Sequence, residues 1–368
     1  MNIVLAIRSL DIGGAERQFI ELVKHIDKIK FDITVCTMYG GVQENIIKNI
    51  LGIRYINLEK KGRYDFSFYF KYKKLLNEIN PDVIYSFLGE MNLFSLWCKP
   101  KQTKLIWGFR ASNMDMKKYG KVAELLFWLQ KKFSGKVDKI IANSYASIEF
   151  HKQEGFFMNN AIVIHNGIDT NKFKRDIEKR KEFRKKYNLN KNDIAIGIVA
   201  RIDYMKGYPV FSKAAKKILE NYKNVKIFAI GGGNVNIKKE CEEILGDYNN
   251  TKFIWLGKKT NVEDFYSGFD IASSSSSFGE GFSNSIAEAM SCEAPCVVTD
   301  VGDSALIVGD CGIVVKPNSV EDLYQGIDKM INRDFKNLGK KSRKRIIENF
   351  SIKNKLNKTE EEIIKCVE

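Results

Sequence analysis

The chain has 368 residues, 44% of them apolar and 29% charged, which is the composition of a water-soluble globular protein with enough length for two cores. No apolar run approaches the roughly 18 residues of a membrane-spanning helix. The net charge of +15 rests on Lys, with Arg supplying only 12 of 60 basic residues. That spread disfavours base readout, which prefers the planar Arg fork, so no nucleic-acid partner is expected; anionic membrane surfaces or phosphorylated substrates suit the charge better.

The first apolar run, "NIVLAI" (residues 2–7), is too short for a signal-peptide core and reads as a buried parallel strand. After "RSLDIGG" a helix is predicted in which Phe19, Leu22, Val23 and Ile26 form one stripe. "FDITVCTM" and "GIRYINL" follow as strands, "FYFKYKKLLNEI" as a helix, and "PDVIYSF", "KLIWGFR", "DKIIANS" and "NAIVIHNGID" as further strands. Such alternation predicts parallel βαβ units and a doubly wound sheet over residues 1–169. Residues 170–193 are dense in charge and read as a linker with a short helix. A second alternation begins at "IAIGIVARI" and runs through "VKIFAIGGG", "KFIWLG", "DIASSS", "PCVVTD" and "CGIVVK", giving a second α/β domain over 194–345. The last helix, 346–368, could pack on the second domain or cross back to the first. Two such domains predict a ligand cleft facing the carboxyl ends of both sheets.

Seven cysteines without a CxxC pair and three histidines argue against a zinc site, and free thiols in a reducing cytoplasm are expected.

The stretch "ASSSSSFGEGFSNSIAEAMSCEAPCVVTD" (272–300) joins a strand to a helix through serines and glycines. A small, flexible loop rich in backbone N–H groups before a helix N-terminus suits a phosphate. Glu280 and Glu288 have seven residues between them. Helical geometry puts Glu288 about 200° from the core-facing Ile286, so it is expected to point elsewhere, into the cleft; the alternative is a capping box with Ser285. For Glu280 the alternative is a solvated loop carboxylate. Arg201 and Lys206 stand at the end of a strand, where two cations suit a diphosphate. Gly13 and Gly14, between strand and helix, could meet a phosphate through the backbone or simply make a tight turn.

"FGEGFSNSIAEAMSCEAPCVVTDVG" resembles the signature of the retaining nucleotide-sugar glycosyltransferases of GT-B architecture, the group 1 or family 4-like enzymes with two glutamates seven residues apart. "LDIGGAERQFIEL", "VIHNGIDTNKF", "VARIDYMKG", "AIGGG", "WLG" and "DCGIVVKP" follow that family's order. The resemblance implies two Rossmann-like domains, the first on the acceptor side and the second binding the nucleotide sugar. It implies that Arg201 and Lys206 hold the donor diphosphate, that Glu288 binds the ribose, and that Glu280 lies against the donor sugar. Phe282, Ser283 and Asn284 would reach sugar and phosphate through their backbone, and Gly13 and Gly14 would close over the donor. The acceptor would be a glycan, often lipid-linked.

Two departures accompany the resemblance. The first domain lacks the acceptor-side histidine of many members and offers Arg110 and Asn113, with Ser112 and Asp115 nearby. His165 stands where Pro is usual and reads as a structural or hinge residue. No Asp-x-Asp occurs, so no metal or other cofactor is expected, the cations and the Ser283 helix end replacing the ion. Residues 117–136, with Val122, Leu125, Leu126, Leu129 and Phe133 on one stripe among lysines, suit a helix on an anionic membrane or one packed on its own sheet. Competing activities are a nucleotide-sugar 2-epimerase of similar architecture and a non-catalytic nucleotide-sugar-binding module.

Overall fold

The computed structural model describes residues 1–62, 65, 67–110, 112 and 120–368. It divides into two compact units, Met1–Gly167 with Ile352–Glu368, and Ile168–Ser351.

The first unit runs β1 (Asn2–Ile7), α1 (Gly14–His25), β2 (Asp32–Thr37), α2 (Glu44–Lys48), β3 (Ile53–Asn57), α3 (Ser67–Ile79), β4 (Val83–Phe87), α4 (Gly89–Cys98), β5 (Lys104–Phe109), α5 (Lys121–Phe133), β6 (Lys139–Ala142), α6 (Tyr145–Gln153) and β7 (Ala161–Val163). The parallel sheet has the order β3-β2-β1-β4-β5-β6-β7. Its strands are apolar on both faces because both are covered. On β1, Ile3, Leu5 and Ile7 join a core shared with α1 and α2, while Val4 and Ala6 join the opposite core with α3 and α4. The expected α1 stripe is buried throughout.

The second unit comprises α7 (Ile177–Lys186), β8 (Ile194–Val199), α8 (Tyr208–Asn221), β9 (Val225–Ile230), α9 (Val235–Leu245), β10 (Phe253–Gly257), α10 (Val262–Gly268), β11 (Ile271–Ser274), α11 (Asn284–Ser291), β12 (Cys296–Thr299), α12 (Ser304–Val308), β13 (Ile313–Val315), α13 (Val320–Ile331) and α14 (Phe335–Phe350). Its sheet is β10-β9-β8-β11-β12-β13, again parallel. The same division of faces holds, with Ile194, Ile196 and Ile198 in one core and Ala195 in the other.

The charge-dense segment 170–193, expected as a linker, is part of this second unit. Its basic residues dock it. Arg180 and Arg184 donate to opposite oxygens of the buried Asp270 at 2.6 and 3.2 Å, and Phe183 packs edge-on against Phe228 at 4.8 Å. Sequence charge density alone hides such docking, because both arginines reach a single carboxylate 86 and 90 positions away. The last helix also divides differently from the expected 346–368. α14 stays with the second unit, and α15 (Ile352–Val367) belongs to the first. There Leu356 and Ile363 enter the core, and the Lys355 ammonium donates to the Gln18 carbonyl and Oε1, each at 2.9 Å. Burial holds that ammonium well below the usual lysine range.

All seven cysteines are free thiols. His151 is a core residue: burial pushes its imidazole down to about 4, and it stacks on Phe109 at 4.2 Å.

Candidate active site

In both sheets the chain reverses direction of progression once, between β1 and β4 in the first unit and between β8 and β11 in the second. Loops leaving the carboxyl ends of the two strands flanking such a point diverge and leave room for a ligand. Arg201 and Lys206 lie on the loop after β8, and Glu280 to Ser283 on the loop after β11, so the second unit's sequence candidates meet at this switch point.

The two loops are tied together. The Ser275 hydroxyl donates to the Lys206 carbonyl at 2.8 Å, and the Ser277 N–H donates to the Met205 carbonyl at 2.8 Å. Gly207 has φ +63°, and a Cβ there would lie 2.0 Å from the Ser275 carbonyl oxygen. Only glycine permits both the left-handed backbone and that approach. From the β12 side, the Asp303 N–H donates to the Gly281 carbonyl at 3.0 Å, and Gly302 (φ +63°) leaves room for the Glu280 and Gly281 carbonyls.

Within this frame the Lys206 ammonium is ion-paired with Glu280 Oε1, and the Ser276 hydroxyl donates to the same oxygen at 2.6 Å. Glu280 is 7% exposed, which removes it from the class of solvated loop carboxylates. Arg201 behaves differently. Its side chain is 64% exposed and pairs with Asp203 at 3.1 Å, on its own loop. Asp203 in turn accepts from the Met205 N–H at 2.9 Å and so shapes the turn that carries Lys206.

Glu288 is buried. The Tyr266 hydroxyl of α10 lies 3.4 Å from its Oε2 and donates to the Ser285 carbonyl at 3.2 Å. α11 is buried from Ile286 through Ser291, Glu288 included. The capping-box alternative fails. The N-cap is Ser283, its side chain makes no cap bond, and the residue three positions on is Ile286. Ser283 is buried, with its hydroxyl 3.3 Å from that of Ser285, and Asn284 opens the helix. The Phe282 ring packs against Phe350 at 5.4 Å, which leaves its backbone as the part able to meet a ligand.

In the first unit, Gly13 is the N-cap of α1 and Gly14 its first residue, on the loop leaving β1. A Cβ on Gly13 would fall 2.0 Å from the Glu16 carboxylate, whose pKa is raised by burial. Across the same switch point Arg8 pairs with Glu90 at 3.4 Å. Arg110, after β5, donates from Nη2 to the Tyr85 hydroxyl at 2.6 Å and lies over the Phe87 ring at 4.7 Å. Asn113 and Asp115 fall outside the described residues.

The outer residues of α5 split. Leu126, Phe127, Leu129 and Phe133 pack on the first unit's core, whereas Val122, Leu125 and Trp128 are 38%, 53% and 51% exposed. The Lys132 ammonium sits 5.1 Å from the Trp128 ring centre. Among the described residues no helix is long and apolar enough to cross a membrane.

Ser275, Ser276, Thr299 and Tyr266 are site neighbours that sequence reasoning did not single out. The serine run was visible, but nothing in it distinguishes a hydroxyl that meets phosphate from one spent inside the loop.

Two family models match this chain, the "Glycosyltransferase Family 4" model over residues 12–172 and the "Glycosyl transferases group 1" model over residues 179–351. The chain belongs to the group 1 glycosyltransferases. Its fold is GT-B, two parallel-sheet Rossmann-like domains. Among curated relatives, the Staphylococcus aureus "Capsular polysaccharide biosynthesis glycosyltransferase CapM" is 27% identical over 190 residues, 50% of this chain and 49% of that protein. The match thus spans about half of that relative's length. A Campylobacter jejuni N-acetylgalactosamine-N,N'-diacetylbacillosaminyl-diphospho-undecaprenol 4-alpha-N-acetylgalactosaminyltransferase is 24% identical over 353 residues, 89% of each chain. Among solved structures, Anabaena Alr3699/HepE in complex with UDP superposes with a TM-score of 0.82 at 18% identity, covering 99% of this glycosyltransferase and 100% of that chain.

Proposed function

We propose that this group 1 glycosyltransferase is a retaining enzyme that moves a sugar from a nucleotide-sugar donor to a glycan or lipid-linked acceptor in cell-surface polysaccharide or glycolipid assembly. The observation that carries the reading is the Lys206–Glu280 pair, a cation and a buried carboxylate brought together at the switch point of the second unit. The UDP-bound structural neighbour and the diphospho-undecaprenol-directed relative support the classes of donor and acceptor.

In this reading the bond from the sugar to the diphosphate breaks through an oxocarbenium-like state, and negative charge grows on the departing phosphate. Lys206 supplies the nearest mobile positive charge, Arg201 a second at the solvent edge, and the N-terminus of α11 at Ser283 and Asn284 the positive end of a helix dipole. Glu280 faces the positive charge that develops on the sugar. Glu288 takes ribose hydroxyls, and Gly13 and Gly14 approach the donor through their backbone. Arg110 is the acceptor-side candidate, fixed by Tyr85 and Phe87. No divalent ion enters this account. Turnover of a screened panel of nucleotide sugars, with release of nucleoside diphosphate, is therefore expected to persist in excess EDTA after dialysis. Recovery of activity only on adding Mn²⁺ or Mg²⁺ would defeat the assignment of leaving-group stabilisation to cations and helix.

The outward face of α5 favours a location on the cytoplasmic side of an anionic bilayer. Val122, Leu125 and Trp128 can enter the acyl boundary while Lys121, Lys132 and Lys136 meet headgroups. Sedimentation with vesicles containing anionic phosphatidylglycerol is expected, with little on neutral vesicles, and Trp128→Glu should abolish it. Equal binding to both vesicle types, or none, would remove the membrane from the proposal.

A further inference from the structure

The Glu280 carboxylate is held by two donors of different character, and this raises a question about what happens when a donor substrate arrives. Lys206 and Ser276 both reach Oε1. A dianionic diphosphate is a stronger counter-ion for Lys206 than one carboxylate, so on the proposed reading Lys206 turns toward the phosphate as charge builds there. Glu280 then loses its ion pair at the moment its position matters. The Ser276 hydroxyl cannot follow. It is 2% exposed, and its own carbonyl accepts from the Thr299 hydroxyl at 2.6 Å, which fixes the residue to the end of β12. The neighbouring residues on each side are fixed too, Ser275 through its hydroxyl and Ser277 through its N–H, both bonded to the backbone of the Lys206 loop. An ionised carboxylate only accepts, so the direction of the Ser276 bond is set: the hydroxyl donates.

We propose that Ser276 is a positioning residue for the glycosyl transfer: it retains the Glu280 carboxylate against the reacting sugar while Lys206 is released to the donor diphosphate. Thr299 acts one step behind it, by holding the Ser276 backbone. The pair makes the Lys206–Glu280 bridge exchangeable, because breaking it does not leave the buried carboxylate without a donor. This inference rests on the functional reading given above, and it assigns a role to a hydroxyl that would otherwise look like one more phosphate contact.

The test separates position from binding. Ser276→Ala is expected to lower kcat about 10- to 100-fold, the range for losing a hydrogen bond to a charged group. The affinity for UDP and GDP, used as probes by calorimetry, should stay within about twofold of wild type for whichever the wild type binds, because Ser276 touches no phosphate in this scheme. Ser276→Thr keeps the hydroxyl and should restore kcat to within about threefold. Unchanged kcat in Ser276→Ala overturns the inference. So does a loss of nucleotide affinity that matches the loss of kcat, since that pattern assigns the serine to phosphate binding or to the fold. Glu280→Gln measured in parallel distinguishes the two levels. An active Glu280→Gln removes the glutamate and with it the functional reading, whereas an inactive Glu280→Gln beside a normal Ser276→Ala removes only the role of the serine.

Discussion

Replacing Lys206 by Ala is expected to lower kcat/KM by about 2–4 kcal/mol of transition-state stabilisation, a factor of roughly 30 to 1,000. The effect should fall mainly on kcat, because charge on the departing diphosphate is greatest as the bond breaks. The structure adds a second consequence. Lys206 is the ionic partner of a carboxylate that is 7% exposed, and removing it takes a charge-assisted donor from the buried Glu280. A loss of thermal stability should therefore accompany the loss of rate. Arg201 is exposed and paired within its own loop, so Arg201→Lys should cost less than Lys206→Ala while still weakening bidentate phosphate contact. Steady-state kinetics and thermal melts of the two variants check this order. Near-normal turnover in Lys206→Ala would move the donor site away from the β8 and β11 loops.

The two glutamates should separate in kind. Glu280→Gln is expected to reduce kcat by at least about 100-fold with little change in nucleoside diphosphate affinity, because a neutral amide does not balance positive charge on the sugar. Glu288→Gln should instead weaken nucleoside diphosphate binding by about tenfold, since an amide offers one acceptor oxygen where the carboxylate offers two. The burial of Glu288 against Tyr266 sharpens the comparison. The Tyr266 hydroxyl lies within 3.4 Å of its Oε2 and shares its one proton between that oxygen and the Ser285 carbonyl, so a Tyr266→Phe variant should reproduce part of the affinity loss. Calorimetry with nucleoside diphosphate and turnover with the full donor measure the two effects independently. Unchanged affinity in Glu288→Gln would return that residue to the packing of α11 on α10.

Much of this arrangement is legible in one dimension. The strands read true because parallel strands buried on both faces are written as short apolar runs, and α1 read true because its four apolar residues fall on one stripe. The helix α4, "GEMNLFSLWC", is harder to see because it is apolar on most sides and gives no periodic signal. The segment 170–193 misleads for the opposite reason: charge suggests solvent, yet Arg180 and Arg184 converge on Asp270. At the site, Glu280, Lys206 and Arg201 stand out in the sequence at strand ends and in the motifs that carry the resemblance, but their pairing does not. Which cation meets which carboxylate depends on loop closure, through Gly207 against Ser275 and Gly302 against Glu280. The burial of Glu288 is equally hidden, since the spacing of α11 does not show that Tyr266 of α10 packs beside it.

The course of α15 has a consequence for how the molecule is made. Residues 168–351 form one uninterrupted unit, whereas the unit that begins at Met1 contains Leu356 and Ile363 in its core. A chain leaving the ribosome from its amino end therefore completes the second unit before the first. Until the final helix emerges, the sheet built from β1 to β7 presents an apolar face around Phe19, Val23 and Tyr85 that α15 has yet to cover. The first half of the polypeptide is the one exposed to aggregation during synthesis, and a chain whose α14 has left the ribosome while α15 has not would hold a complete second unit beside an unfinished first unit.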